Sequence, residues 1–113
     1  MKTITTDGLK ALQDQNGDLT LVNTLAAEAF EKTKIPGAIN VPLESIDFAD
    51  RVRHAAGGKN KPVVVYCASR QCDSSEKAAQ KLEAAGFTAV SRYTDGAAAW
   101  QKEAGEVQAG QCG

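Results

Sequence analysis

Few side chains in this sequence are available for demanding chemistry. Its 113 residues include one histidine, one tryptophan and three cysteines, and only 5% are aromatic. A small, odd number of cysteines excludes the disulfide framework of a minimal secreted domain. Three thiols at these spacings also fall short of the roughly four ligands of a structural zinc site, so no metal and no cofactor is expected. No apolar run approaches the ~18 residues needed to span a bilayer. The start, Met1-Lys2-Thr3-Ile4-Thr5-Thr6-Asp7, has no apolar stretch of signal-peptide length behind its charge. The expectation is therefore a cytoplasmic chain with no membrane partner, in a reducing compartment where thiols persist. An excess of one charge is missing as well. Thirteen Lys+Arg face fourteen Asp+Glu, for a net charge of -1. That balance leaves no basic face for non-specific nucleic-acid binding.

What remains is an ordinary core-forming composition, 42% hydrophobic. A chain of this size buries roughly 60–70% of its unfolded surface and needs no staples. Residues 1–113 are expected to form one domain that works as a monomer, with 105–113 a loose tail poor in large apolar residues. Short β-branched runs alternate with alanine-rich helical stretches, the pattern of an α/β sheet protein.

Thr5 or Thr6 caps a first helix running to about Gln15, with Leu9 and Leu12 on its apolar side and Asn16-Gly17 as its stop. Leu19 to Val22 reads as a buried strand and Ala26 to Lys32 as a short helix ending before Pro36. Ile35 to Pro42 is a turn into a brief extended segment. Ser45 opens a helix with Ile46, Ala49, Val52 and Ala56 at helical spacing, closed by Gly57-Gly58. Val63-Val64-Val65-Tyr66 is the strongest strand, and an unbroken valine run suits a central parallel strand covered on both faces. A helix from Ser75 to Ala85 follows, with Ala78, Leu82 and Ala85 inward. Thr88 to Tyr93 is a last strand and Ala97 to Ala104 a last helix.

The informative segment is Tyr66-Cys67-Ala68-Ser69-Arg70-Gln71-Cys72-Asp73-Ser74-Ser75. It joins the best strand to the best helix, and so lies at the carboxyl edge of a parallel sheet, where such sheets bind ligands. The next helix aims its amino end, with unpaired amides and a positive dipole, back at the loop. A thiol held there is stabilised as the thiolate, the nucleophilic form. It needs no adjacent histidine to accept a sulfur atom.

Three motifs resemble those of the single-domain rhodanese family of sulfurtransferases. Lys34-Ile35-Pro36-Gly37-Ala38-Ile39-Asn40-Val41-Pro42 is similar to the family's H-I-P-G-A-x-N-x-P stretch. Val63 to Cys67 with Ser75-Glu76-Lys77-Ala78-Ala79 resembles its active-site strand and helix. Asp95-Gly96-Ala97-Ala98-Ala99-Trp100 resembles its C-terminal Gly-Gly-x-x-x-Trp. The resemblance implies a rhodanese-like three-layer α/β fold, with a central parallel sheet of about five strands and helices on both faces. It also implies a ping-pong sulfurtransferase: a cysteine takes a sulfane sulfur from thiosulfate, polysulfide or a protein persulfide, then passes it to a thiophilic acceptor or a sulfur-carrier protein. The loop amides and the helix end would cradle the persulfide anion.

By the same resemblance Cys67, directly after the strand, is the first choice for nucleophile. Cys72 is a second candidate, or a resolving thiol that pairs with Cys67. Ala68, Ser69, Arg70, Gln71, Asp73 and Ser74 are the substrate-binding candidates. Arg70 would hold an anionic donor, or is simply a solvated arginine. Asp73 with Glu76 also has the spacing of a capping box, a structural role. His54, between Arg51 and Arg53, reads as a solvated surface residue, Trp100 as core, and Cys112 as an exposed tail thiol.

Two departures from the family pattern stand out. Asn23-Thr24-Leu25 replaces a family Asp-x-Arg, which removes an internal ion pair. The active-site loop is also about two residues longer than the family's and holds the extra Cys72. With Asp73 offsetting Arg70, a dianion such as thiosulfate is expected to be a weaker donor than a neutral or protein-bound persulfide. A Cys-x5-Arg phosphatase would place arginine where Asp73 or Ala78 stands, and Cys67 and Cys72 are not the Cys-x-x-Cys of a thioredoxin. The rival expectation is a non-catalytic rhodanese-like module that binds a partner or senses oxidation through a Cys67–Cys72 disulfide.

Overall fold

The computed structural model describes residues 2–15, 19–35, 37–67, 73–94 and 96–100. Five strands form one sheet in the order β1-β5-β4-β2-β3, and every neighbouring pair is parallel. The strands are β1 (Lys2–Ile4), β2 (Thr20–Asn23), β3 (Ile39–Asn40), β4 (Val63–Tyr66) and β5 (Val90–Tyr93). Between and after them run α1 (Thr6–Gln15), α2 (Ala27–Thr33), α3 (Phe48–Ala56), α4 (Ser74–Ala84) and α5 (Gly96–Trp100). No helix of the described residues is long and apolar enough to cross a membrane.

β4 sits at the centre, and all four of its residues are buried. Its alternation divides the interior in two. Val63 and Val65 join Val22, Phe48, Val52, Ala78 and Leu82 in one cluster, formed with α3 and α4. Val64 and Tyr66 join Leu9, Leu21 and Tyr93 in another, formed with α1 and with Trp100 of α5 packed against it. A strand with both faces covered has no use for polar residues, which is why β4 reads as a valine run.

Local chemistry sets most of the boundaries. Thr5 caps α1 by accepting the Gly8 N–H on its Oγ1 at 3.1 Å. At the end of α3, the Gly57 and Gly58 N–H groups both donate to the Arg53 carbonyl, at 2.9 and 3.1 Å. Gly57 turns the chain there with φ of 86°, a conformation costly for residues with a Cβ.

One strand, β1, has no counterpart among the expectations, and two expectations require correction. β1 had no strand signal, because Lys2 and Thr3 are exposed and only Ile4 is partly covered. An edge strand of this kind is held by pairing with β5 rather than by an apolar pattern. The third helix starts at Phe48, not Ser45, and Ile46 lies outside it at 106% exposure. Phe48, 2% exposed, fills the core position instead. Ser45 forms a turn, its carbonyl accepting from the Phe48 N–H at 3.2 Å and its Oγ from Arg51 Nη1 at 3.2 Å. Finally, the last strand begins at Val90, two residues after Thr88. The proposed helix stop at Asn16-Gly17, the end of the last helix at 101–104 and the 105–113 tail lie outside the described residues.

Candidate functional site

β2, β4 and β5 end side by side at one edge, and Cys67 follows the last residue of β4. Its thiol is buried, with 1% of the residue exposed. It donates to Ser75 Oγ in the first turn of α4 at 3.5 Å. The same Oγ accepts Arg92 Nε from β5 at 2.9 Å. Strand register explains that reach. Val65 pairs with Arg92 across β4 and β5, so both side chains stand on the face that α4 covers.

The peptide before Cys67 is fixed on several sides. The Thr24 N–H and Oγ1 both donate to the Tyr66 carbonyl, at 3.1 and 3.2 Å. The Tyr66 hydroxyl accepts the Ile35 N–H at 3.1 Å and donates to the Thr33 carbonyl at 3.0 Å. Burial raises the pKa of this phenol above its ordinary value, and hydrogen bonds with Asn23 and Ile35 offset part of that rise. Tyr66 thereby ties the end of α2 to the central strand. In the turn that follows, the Ala38 N–H donates to the Ile35 carbonyl at 2.9 Å. Gly37 there has φ of 87°, where a side chain would be strained.

The missing Asp-x-Arg ion pair has a neutral replacement. Asn23 is fully buried. Its Oδ1 accepts the Leu25 N–H at 2.9 Å and its Nδ2 donates to Thr33 Oγ1 at 3.0 Å. Asn40 Nδ2 adds bonds to the Leu25 carbonyl at 2.7 Å and the Asn23 carbonyl at 3.2 Å. Satisfied amides avoid the desolvation cost that a buried ion pair carries.

Of the residues singled out from sequence, Cys67 and Ser75 are in contact. Ser74 lines a cavity of about 230 Å³ at this edge, together with Thr24, Leu25, Pro42, Leu43 and Glu44. Asp73 precedes α4 but makes no side-chain cap, so the expected capping box with Glu76 does not form. It pairs instead with Lys77 at 3.4 Å, both side chains well exposed. An exposed pair one turn apart is worth only about 0.3–0.5 kcal/mol. Ala68, Ser69, Arg70, Gln71, Cys72 and Cys112 lie outside the described residues. His54 is exposed on α3. Trp100 is half-buried, with Lys10 Nζ 5.7 Å from its ring centroid, which agrees with a packing role.

Sequence reasoning missed Arg92. No motif marks it, and its approach to Ser75 follows from β4 and β5 being neighbours in register. A larger cavity, about 530 Å³, opens beside Pro62 and Val63 at the start of β4, the end of the strand away from Cys67. The smaller one lies at the Cys67 end, where Thr24 bonds the Tyr66 carbonyl.

A parallel β1-β5-β4-β2-β3 sheet with a buried thiol at the end of its central strand defines an α/β protein with a cysteine at the sheet's carboxyl edge. The model of the rhodanese-like domain matches residues 5–103, and the chain belongs to that family. It is 33% identical over 85 residues to an HTH-type transcriptional regulator, Rv0324, of Mycobacterium tuberculosis. That match takes in 75% of this chain but 35% of the regulator, so the chain spans about a third of that relative's length. A rhodanese-like domain protein from Staphylococcus aureus superposes with a TM-score of 0.71 at 28% identity, over 88% of this chain and 91% of that one. A human single-domain sulfurtransferase superposes at 0.67 over 83% and 89% of the two chains; at 19% identity the likeness is one of fold.

Proposed function

We propose that the chain is a sulfurtransferase in which Cys67 carries the transferred sulfur as a persulfide. The observation that carries this reading is the Cys67 thiol at the end of the central strand, in contact with Ser75 at the start of α4. In the forward half-reaction the Cys67 thiolate attacks the sulfane sulfur of the donor. A new S–S bond forms as the donor's own bond to that sulfur breaks, and the electron pair leaves on sulfite or on the donor thiolate. A thiophilic acceptor then attacks the outer sulfur, and Cys67 departs as thiolate.

The backbone of residues 68–72 and the amino end of α4 would hold the persulfide anion. Ala68, Ser69, Arg70, Gln71, Asp73 and Ser74 are the substrate contacts in this reading, and Cys72 is the second sulfur carrier or resolving thiol. The donor or acceptor would enter through the cavity beside Ser74. Its lining of Leu25, Pro42 and Leu43 with one carboxylate, Glu44, favours an uncharged or protein-bound sulfur carrier over a dianion.

The test is to load reduced protein with thiosulfate or polysulfide, remove the donor, and measure the sulfur released to cyanide. Release from wild type and its loss in Cys67→Ser are expected. Loss in Cys72→Ser alone would move the nucleophile. No release from protein loaded with any donor would leave a binding or redox-sensing module instead.

A further inference from the structure

We propose that Arg92 is a positioning residue for the Cys67 thiolate, acting through Ser75. A serine hydroxyl has one proton and two lone pairs, whereas an arginine N–H can only donate. Arg92 Nε sits 2.9 Å from Ser75 Oγ, so that oxygen must accept there. With a lone pair committed to Arg92, the hydroxyl proton can turn to Cys67 Sγ, 3.5 Å away, once the sulfur is anionic. The same oxygen that accepts from the neutral thiol then donates to the thiolate or to a persulfide. Donation to the charged form favours ionisation. The guanidinium also polarises the hydroxyl it donates to, which strengthens that bond.

The surroundings suit this role. Ser75 is 1% exposed, so water has little access to its hydroxyl. Arg92 is held by strand register opposite Val65 rather than by a loop. The other charged groups described near the start of α4 are Asp73 just before it, Glu76 and Lys77 on it, and Glu44, which shares a cavity with Ser74. Asp73 and Lys77 pair with each other in solvent, and the half-buried Glu76 opposes thiolate formation by its charge. Without Arg92, the Ser75 hydroxyl loses the cation that polarises it, its hydrogen bond to the thiolate weakens, and the neutral form gains.

The consequence for sulfur transfer rests on Cys67 being the nucleophile, but the experiment reads the thiol itself. In full-length protein with Cys72→Ser and Cys112→Ser, the ultraviolet thiolate absorbance of Cys67 is followed against pH. Arg92→Gln is expected to raise the midpoint by about one pH unit. Ser75→Ala is expected to raise it by a similar amount. In the double variant, Arg92→Gln should add less than half of its single effect, because the group it acts through is gone. An unchanged midpoint in Arg92→Gln would overturn the proposal. Full additivity would also overturn it, since Arg92 would then act by its charge across space. If Arg92→Gln does not fold, Arg92→Met gives the same comparison with a side chain that keeps the buried stem. Failure of sulfur loading with these midpoint shifts intact would count against the sulfurtransferase reading alone.

Discussion

Replacing Tyr66 by phenylalanine removes one oxygen atom and leaves the ring in place. That oxygen accepts the Ile35 N–H at 3.1 Å and donates to the Thr33 carbonyl at 3.0 Å. Ile35 is fully buried, so its amide has no water to replace the lost partner. A buried donor left unsatisfied costs about 1–3 kcal/mol, and removing the hydroxyl from an apolar site returns part of that. Thr33 is half-buried, and water can reach its carbonyl at smaller cost. The expected net loss is about 2 kcal/mol. With about 2.1 cal/mol/K of unfolding entropy per residue, that loss lowers Tm by roughly 8 °C.

Thermal and urea unfolding are the assays, and the urea slope should not change, since the exposed surface is the same. A pH series adds an independent check. Burial raises the folded pKa of Tyr66 above its ordinary value of 10.0, so the folded state keeps a proton that the unfolded state gives up. The stability from this neutral phenol is fully present below the ordinary value and is lost as pH rises through the raised folded pKa. Tyr66→Phe should therefore flatten the alkaline fall in stability. A Tm change under about 2 °C, with the alkaline fall unaltered, would mean that the Tyr66 hydroxyl does not hold the Ile35 amide as described.

Other perturbations separate packing from exposure and polar support from charge. Phe48→Ala should cost about 3–5 kcal/mol in denaturant unfolding, whereas Ile46→Ser, two residues earlier, should stay within about 0.5 kcal/mol of wild type. Asn23→Ala strips the Leu25 N–H of its acceptor and should cost about 1–3 kcal/mol, with little dependence on salt because no ion pair is involved.

The parts of the fold legible in the sequence were those written as local patterns. The valine run of β4, the Thr5 cap and the Gly57-Gly58 stop each carry their physical cause within a few residues. The motif stretches around Pro36, Cys67 and Trp100 add order along the chain, which is why the parallel sheet and its carboxyl edge were accessible. What escaped depends on strand neighbours. β1 shows almost no apolar pattern because its partner β5 supplies the pairing. Arg92 reads as one more polar residue until β5 is laid beside β4. Asn23 looked like a lost ion pair, and only Thr33, Asn40 and the Leu25 backbone show that amides take over its work. Ile46 shared the helical period of its neighbours, but a turn at Ser45 placed it before the helix, and Phe48 took the core.

The most direct test is to find where the sulfur is carried. Reduced wild-type protein is treated with thiosulfate or polysulfide, desalted, weighed intact and then cleaved under acid conditions for peptide mapping. One added sulfur atom per chain is expected, removable by reductant or cyanide and located on Cys67, with no adduct in Cys67→Ser. A wild-type chain that gains no sulfur from either donor, or a Cys67→Ser chain that gains it undiminished, would contradict Cys67 as the sulfur carrier.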